Sequence, residues 1–190
     1  MDKKDTKDAL TERERFIEYV QNKKPVTVIL EKGKHAGKQM HIVTVKKGPY
    51  ALEYWGIVGK KKIAAMLTAA PIGGIAQVTS SAVAHSFWRC GVAHHVYSEI
   101  NKDLSIVHAA LEPSWNAMTP DAARFWKELS VHSPEVQARL DTVLAQMDST
   151  GATAAHDEMK IDDIGQFWNG DSMSKKKLEG LGIDTASQSR

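Results

Sequence analysis

The sequence predicts an α+β fold, mainly α-helical, in which a small basic antiparallel β region near the N-terminus is followed by a helical bundle. Three observations lead there. β-Branched runs cluster between residues 26 and 58, apolar residues recur at helical intervals through most of the remainder, and Thr119-Pro120 and Ser133-Pro134 each supply a cap residue followed by proline at a first helical position. The chain has 190 residues, 42% hydrophobic and 25% charged, which supports a cored protein and excludes disorder throughout, collagen-like repeats and a disulfide scaffold.

Thr11 and Glu14 have the spacing of a capping box, and Phe16, Ile17 and Val20 follow on one helical face, so residues 11–22 read as an amphipathic helix closed by Pro25. Residues 26–30 and 40–45 read as strands joined by the glycine- and lysine-rich loop EKGKHAGK. Gly48 and Pro49 turn the chain into a third strand, 50–58. Helices are then expected over 60–70, ended by Pro71, Gly73 and Gly74, and over 80–99, capped by Thr79 or Ser80, with Gly91 in its middle. Further helices are expected over 120–130 and 134–148. A linker from Ser149 to Ala155, a short helix reaching Trp168, a last helix over 174–181 and a frayed tail complete the chain.

The expected organisation is an N-terminal helix or arm over 1–22, a basic β region over 23–62, a helical core over 63–170, and a C-terminal helix and tail over 171–190. Charge follows these divisions. Residues 23–62 hold ten lysines against Glu31 and Glu53, a net +8, whereas residues 97–170 hold five bases against twelve acids, a net −7. A lysine block of this density is the electrostatic footprint of a surface that neutralises phosphates. A solvated lysine face is the plainer reading. The opposed signs also allow the basic part of one copy to meet the acidic part of another.

The nucleic-acid-binding residues this points to are Lys32, Lys34, Lys38, Lys46, Lys47, Lys60, Lys61 and Lys62, with Tyr54 and Trp55 either as rings on which unpaired bases stack or, the slightly favoured reading, as core residues. Gly56 to Lys60 adds a glycine turn whose free amides, followed by lysines, suit a phosphate contact. His85, Cys90, His94 and His95 form the densest group of soft ligands, but a structural zinc needs four protein ligands and Cys90 is the only cysteine. A Cys90 nucleophile would need exposure and a lowered pKa, which a long apolar helix does not provide. The expectation is therefore a non-enzymatic protein without cofactor or metal.

Three segments carry a resemblance to a known family: VTSSAVAHSFWR (78–89), MTPDAARFWKEL (118–129) and SMSKKKLEGLGI (172–183). Together with the basic β-containing front and helical rear, they resemble the nucleoproteins of segmented negative-strand RNA viruses of the orthobunyavirus type. The resemblance implies single-stranded RNA held in a basic groove between two lobes, and terminal arms that lock neighbouring copies into a homo-oligomer.

The functional expectation is thus sequence-independent binding of single-stranded nucleic acid, RNA above all, with self-association. The alternative is a matrix-like or adaptor protein whose basic face meets an anionic membrane peripherally or an acidic protein. A lone cysteine and a charged N-terminus without an apolar stretch fit a cytoplasmic location or the inside of a virion. The least polar window, 63–78, is too short and too interrupted to span a bilayer.

Overall fold

In the structure, a computed structural model, residues 3–115, 118, 120–129, 134–150 and 168–186 are described. Helix α1 (Lys3–Gln21) leads into a meander of five antiparallel strands: β1 (Val26–Ile29), β2 (Gln39–Lys46), β3 (Ala51–Val58), β4 (Lys61–Ala69) and β5 (Ile75–Val83). Helix α2 (Val92–Ser105) then crosses the sheet and returns the chain to β6 (Ala110–Pro113), which pairs parallel with β5. Helices α3 (Pro120–Glu128) and α4 (Pro134–Thr150) follow, and the short strand β7 (Asp171–Ser172) adds to β4 ahead of α5 (Lys175–Gly180).

The mainly helical bundle expected from the sequence is therefore corrected to a mixed sheet with helices packed on it. Two segments account for the difference. Residues 60–70, expected as a helix, form β4, because their buried positions fall on alternate residues: Ala64, Met66, Thr68 and Ala70 face one way. Alanine, methionine, leucine and lysine favour helix locally, but β4 lies between β3 and β5, and ladders on both its edges override that weak preference. Residues 80–99 begin as β5, and the helix starts only at Val92. Gly91 has φ +78, a left-handed conformation that cannot occur inside a right-handed helix, so it is the N-cap and not a mid-helix residue.

One face of the sheet carries Met40, Ile42, Leu52, Tyr54, Ala64 and Met66, covered by Phe16 and Val20 of α1 and by Val96, Ile100 and Leu104 of α2. The opposite face carries Val43, Trp55 and Ile57 beneath Met173, Leu178 and Ile183 of the C-terminal segment. Alternation along β2 and β3 thus feeds two apolar layers, since successive side chains point to opposite faces. Ser174 caps α5, its hydroxyl accepting from Lys177 N at 3.2 Å. The linker expected from Ser149 begins within α4. Its remainder, the helix expected before Trp168, and the last four residues lie outside the described residues. Among the described residues no helix is long and apolar enough to cross a membrane.

Candidate functional site

β5 is paired with β4 as far as Val83 on one edge, but on the other it meets β6 only from Ile75 to Val78. Beyond that point the parallel strands part. Pro113, the last residue of β6, has no N–H to continue the ladder. The resulting gap encloses about 320 Å³ between Thr79, Ser80 and Ser81 on β5 and Pro113 and Ser114 on the other side. Tyr97 of α2 and Trp126 of α3 close it from the helical layer, their rings in edge contact at 5.0 Å. Burial pushes the Tyr97 hydroxyl above the ordinary tyrosine value, with a hydrogen bond to Ser81 pulling the other way.

A second cleft of about 530 Å³ adjoins the gap along β5 and α3, at the end where the strands finish and α2 begins. A crevice beyond the carboxyl ends of diverging parallel strands is a common ligand position in open sheets. Its floor is the turn from His85 to Gly91, held by Trp88 Nε1 donating to the Val83 carbonyl at 2.8 Å and by Cys90 N donating to the Phe87 carbonyl at 3.3 Å. Two of its residues, Arg89 with φ +61 and Gly91 with φ +78, are left-handed. For arginine that conformation is strained, and it places Arg89 in the lining of the cleft.

The first helical bond of α2 runs from His95 N to the Gly91 carbonyl at 3.1 Å, so the N–H groups of Val92, Ala93 and His94 precede the helical ladder. The N-cap residue, Gly91, has no side chain to cap them, and all three residues line the cleft. With Lys32 on the facing loop and Arg89 on the turn, the cleft gathers donors and positive charge, countered by Glu128 on its α3 wall.

Lys32 reaches this position because the β1–β2 loop is seated on the same turn. His35 stacks on Phe87 with centroids 3.9 Å apart, and its Nε2 lies 3.0 Å from the Ser86 carbonyl. Gly33, at φ +68, passes so close to Cys90 that an added Cβ would lie 2.9 Å from Sγ. Cys90 itself is buried and precedes α2, whereas His94 is exposed on its first turn, so the two do not share a helical face.

The lysines singled out from the sequence divide into groups. Lys32, Lys34 and Lys38 belong to the β1–β2 loop, and Lys60, Lys61 and Lys62 stand at or just past the β3–β4 turn at the same end of the sheet. Along the backbone Lys46 and Lys47 stand at the other end of the eight-residue β2, but the Lys47 side chain reaches the same Trp55 ring as Lys62. Lys47 Nζ is 3.5 Å from Glu53 and Lys62 Nζ is 3.1 Å from Asp171. Together with Lys177 they surround the Trp55 ring at 5.5, 4.4 and 5.3 Å from its centroid. Trp55 is only 5% exposed and its indole N–H donates to Glu53. Tyr54 is buried in the opposite layer, donating to Asp103 Oδ2 at 2.9 Å. Neither ring presents a face to solvent.

Trp88, Arg89 and Gly91 in the cleft and Tyr97 in the gap are among the residues that the sequence did not single out. Gly91 before the apolar positions Val92, Val96 and Ile100 is the signal that could have located the helix start and its donors. Compared with protein-family models, curated proteins and solved structures, the chain matches none.

Proposed function

We propose that this protein binds a nucleotide-linked pantetheine thioester, a ligand of the coenzyme A type, and transfers its acyl group to an acceptor. The observation that carries the reading is the parting of β5 and β6 next to a basic cleft at the start of α2. Phosphates suit the amides of Val92 to His94 and the charges of Lys32 and Arg89. The adjoining gap is narrow and walled by a strand edge, so it suits a slender arm carrying amides, which can pair with β5 as an added strand would.

The lining of the gap supports the reaction class. Among its described lining residues Tyr97 has the ionisable side chain, and burial keeps that hydroxyl protonated. It is suited to give a proton to a departing thiolate and unsuited to act as a base. In the transfer, the acyl carbon's bond to sulfur breaks, a bond to the acceptor's nitrogen or oxygen forms, the Tyr97 proton goes to the thiolate, and the acceptor's proton passes to solvent, from which Tyr97 regains its own.

The experiment is a thermal-shift and calorimetric titration with coenzyme A and acetyl-coenzyme A. A ligand held at about 100 times its Kd should add roughly 2.7 kcal/mol to stability and raise Tm accordingly. No shift and no heat with either compound overturns the proposal.

A second reading is the sequence-independent binding of single-stranded RNA with self-association that the nucleoprotein resemblance implies. The gathering of Lys47, Lys62 and Lys177 from three parts of the chain around one ring favours it. Fluorescent single-stranded RNA, titrated at several salt concentrations while light scattering follows the oligomeric state, tests it. Replacing Lys60, Lys61 and Lys62 together by alanine should weaken binding for all sequences alike and flatten its salt dependence. Unchanged affinity and slope would remove this reading.

A further inference from the structure

Trp88 is 48% exposed, although tryptophan is the side chain with most to gain from burial. Its ring is nonetheless fixed. The indole N–H donates to the Val83 carbonyl at 2.8 Å, and the ring meets His85 in a T-shaped contact with centroids 4.7 Å apart and planes at 79°. An exposed ring held from its nitrogen edge and by a neighbouring ring loses little freedom when something stacks on it.

Its place decides what that would be. Trp88 lines the same cleft as Lys32 and Arg89, with Glu128 on the α3 wall, so the ring stands beside two positive charges. A flat aromatic face next to a phosphate-suited site matches the two halves of a nucleotide, a π-surface and an anionic group joined by a sugar. We infer that Trp88 is the stacking platform for the nucleobase of the ligand, so that the cleft reads a nucleotide and not a phosphate alone. This rests on the coenzyme A reading above and adds a residue that sets ligand preference.

Calorimetry on the full chain with coenzyme A, with adenosine 3′,5′-bisphosphate and with 4′-phosphopantetheine, which lacks the base, tests the inference. The wild-type protein should bind coenzyme A more tightly than 4′-phosphopantetheine. Trp88→Ala should weaken coenzyme A and the bisphosphate by roughly tenfold, leaving 4′-phosphopantetheine unchanged, and Trp88→Phe should restore most of the loss. Melting curves of both variants report whether the fold is kept.

Equal affinity of wild type and Trp88→Ala for coenzyme A would overturn the stacking role while leaving the binding site standing. Parallel loss of all three ligands in Trp88→Ala, uncorrected by Trp88→Phe, would overturn it in favour of a structural role for the ring. Failure of the wild type to bind either coenzyme A or 4′-phosphopantetheine would overturn both this inference and the reading beneath it.

Discussion

The ammonium of Lys23, just beyond α1, lies 2.6 Å from Oδ1 of Asp103 on α2. Its Nζ also contacts the Glu99 carboxylate one turn earlier, and both acids are buried. Burial works against the Lys23 charge, but the hydrogen bonds and charges of Asp103 and Glu99 outweigh it and lift its pKa above 10.5. Tyr54 of β3 completes the cluster, so helix, sheet and crossover are joined through one polar group. Lys23→Met would leave two buried carboxylates without their counter-ion. It should cost about 3–5 kcal/mol at pH 7 in urea denaturation, the range for a broken buried pair.

The pH dependence of that loss has a definite sign. Burial raises the Asp103 carboxyl above 3.8, with Lys23 and Tyr54 pulling it down and Glu99 adding to the rise. A carboxyl whose folded value is raised binds more protons folded than unfolded, so its ionised form weighs against the fold above that value, and acid relieves the penalty. Removing Lys23 takes away a downward pull, and the carboxyl should rise further. The stability difference between wild type and Lys23→Met should therefore shrink as pH falls from 7 towards 5. A difference that stays constant over that range would contradict the assignment.

Gly33 links fold to ligand. Its φ is +68, and a Cβ there would stand 2.9 Å from Cys90 Sγ and 3.3 Å from the Arg89 carbonyl oxygen, backbone that cannot yield cheaply. Gly33→Ala should cost about 1–3 kcal/mol. It should also lift the β1–β2 loop off the His85–Gly91 turn and draw Lys32 from the cleft. Coenzyme A affinity would then fall along with Tm. A lowered Tm with unchanged affinity would show that Lys32 does not depend on that seating.

Local signals account for what the sequence did foretell. The β-branched runs became β1, β2 and β3 within a residue or so of their expected limits, and the two Ser/Thr-Pro starts became α3 and α4. Each rests on a cap, a proline or a two-residue alternation that neighbouring residues enforce. β4 was hidden because its side chains favour helix and its ladder partners are distant in sequence, Val83 opposite Ala64 on one edge and Ala51 opposite Ala69 on the other. The cleft was hidden for the same reason. Lys32, Arg89 and Glu128 are distant in sequence and meet only after the crossover through α2 is made. Lysine density shows where charge is concentrated along the chain, but not that Lys47, Lys62 and Lys177 meet around a buried Trp55.

Gly170 tests how the C-terminal segment is held over Trp55. It has φ +88, and a Cβ would fall 2.7 Å from the Lys62 carbonyl oxygen, at the point where β7 joins β4 and Asp171 meets the Lys62 ammonium. Gly73 provides the control. Its φ is +59, and an added Cβ meets nothing within 4 Å, so Gly73→Ala should cost only the left-handed strain of roughly 1–2 kcal/mol. Gly170→Ala carries that strain and a backbone collision, and should cost at least about 1 kcal/mol more by urea denaturation. It should also loosen Met173, Leu178 and Ile183 from the layer around Trp55, which red-shifts tryptophan emission in the native baseline as the ring gains water. Equal costs for the two variants, with no change in emission, would mean that β7 is not what keeps this layer closed.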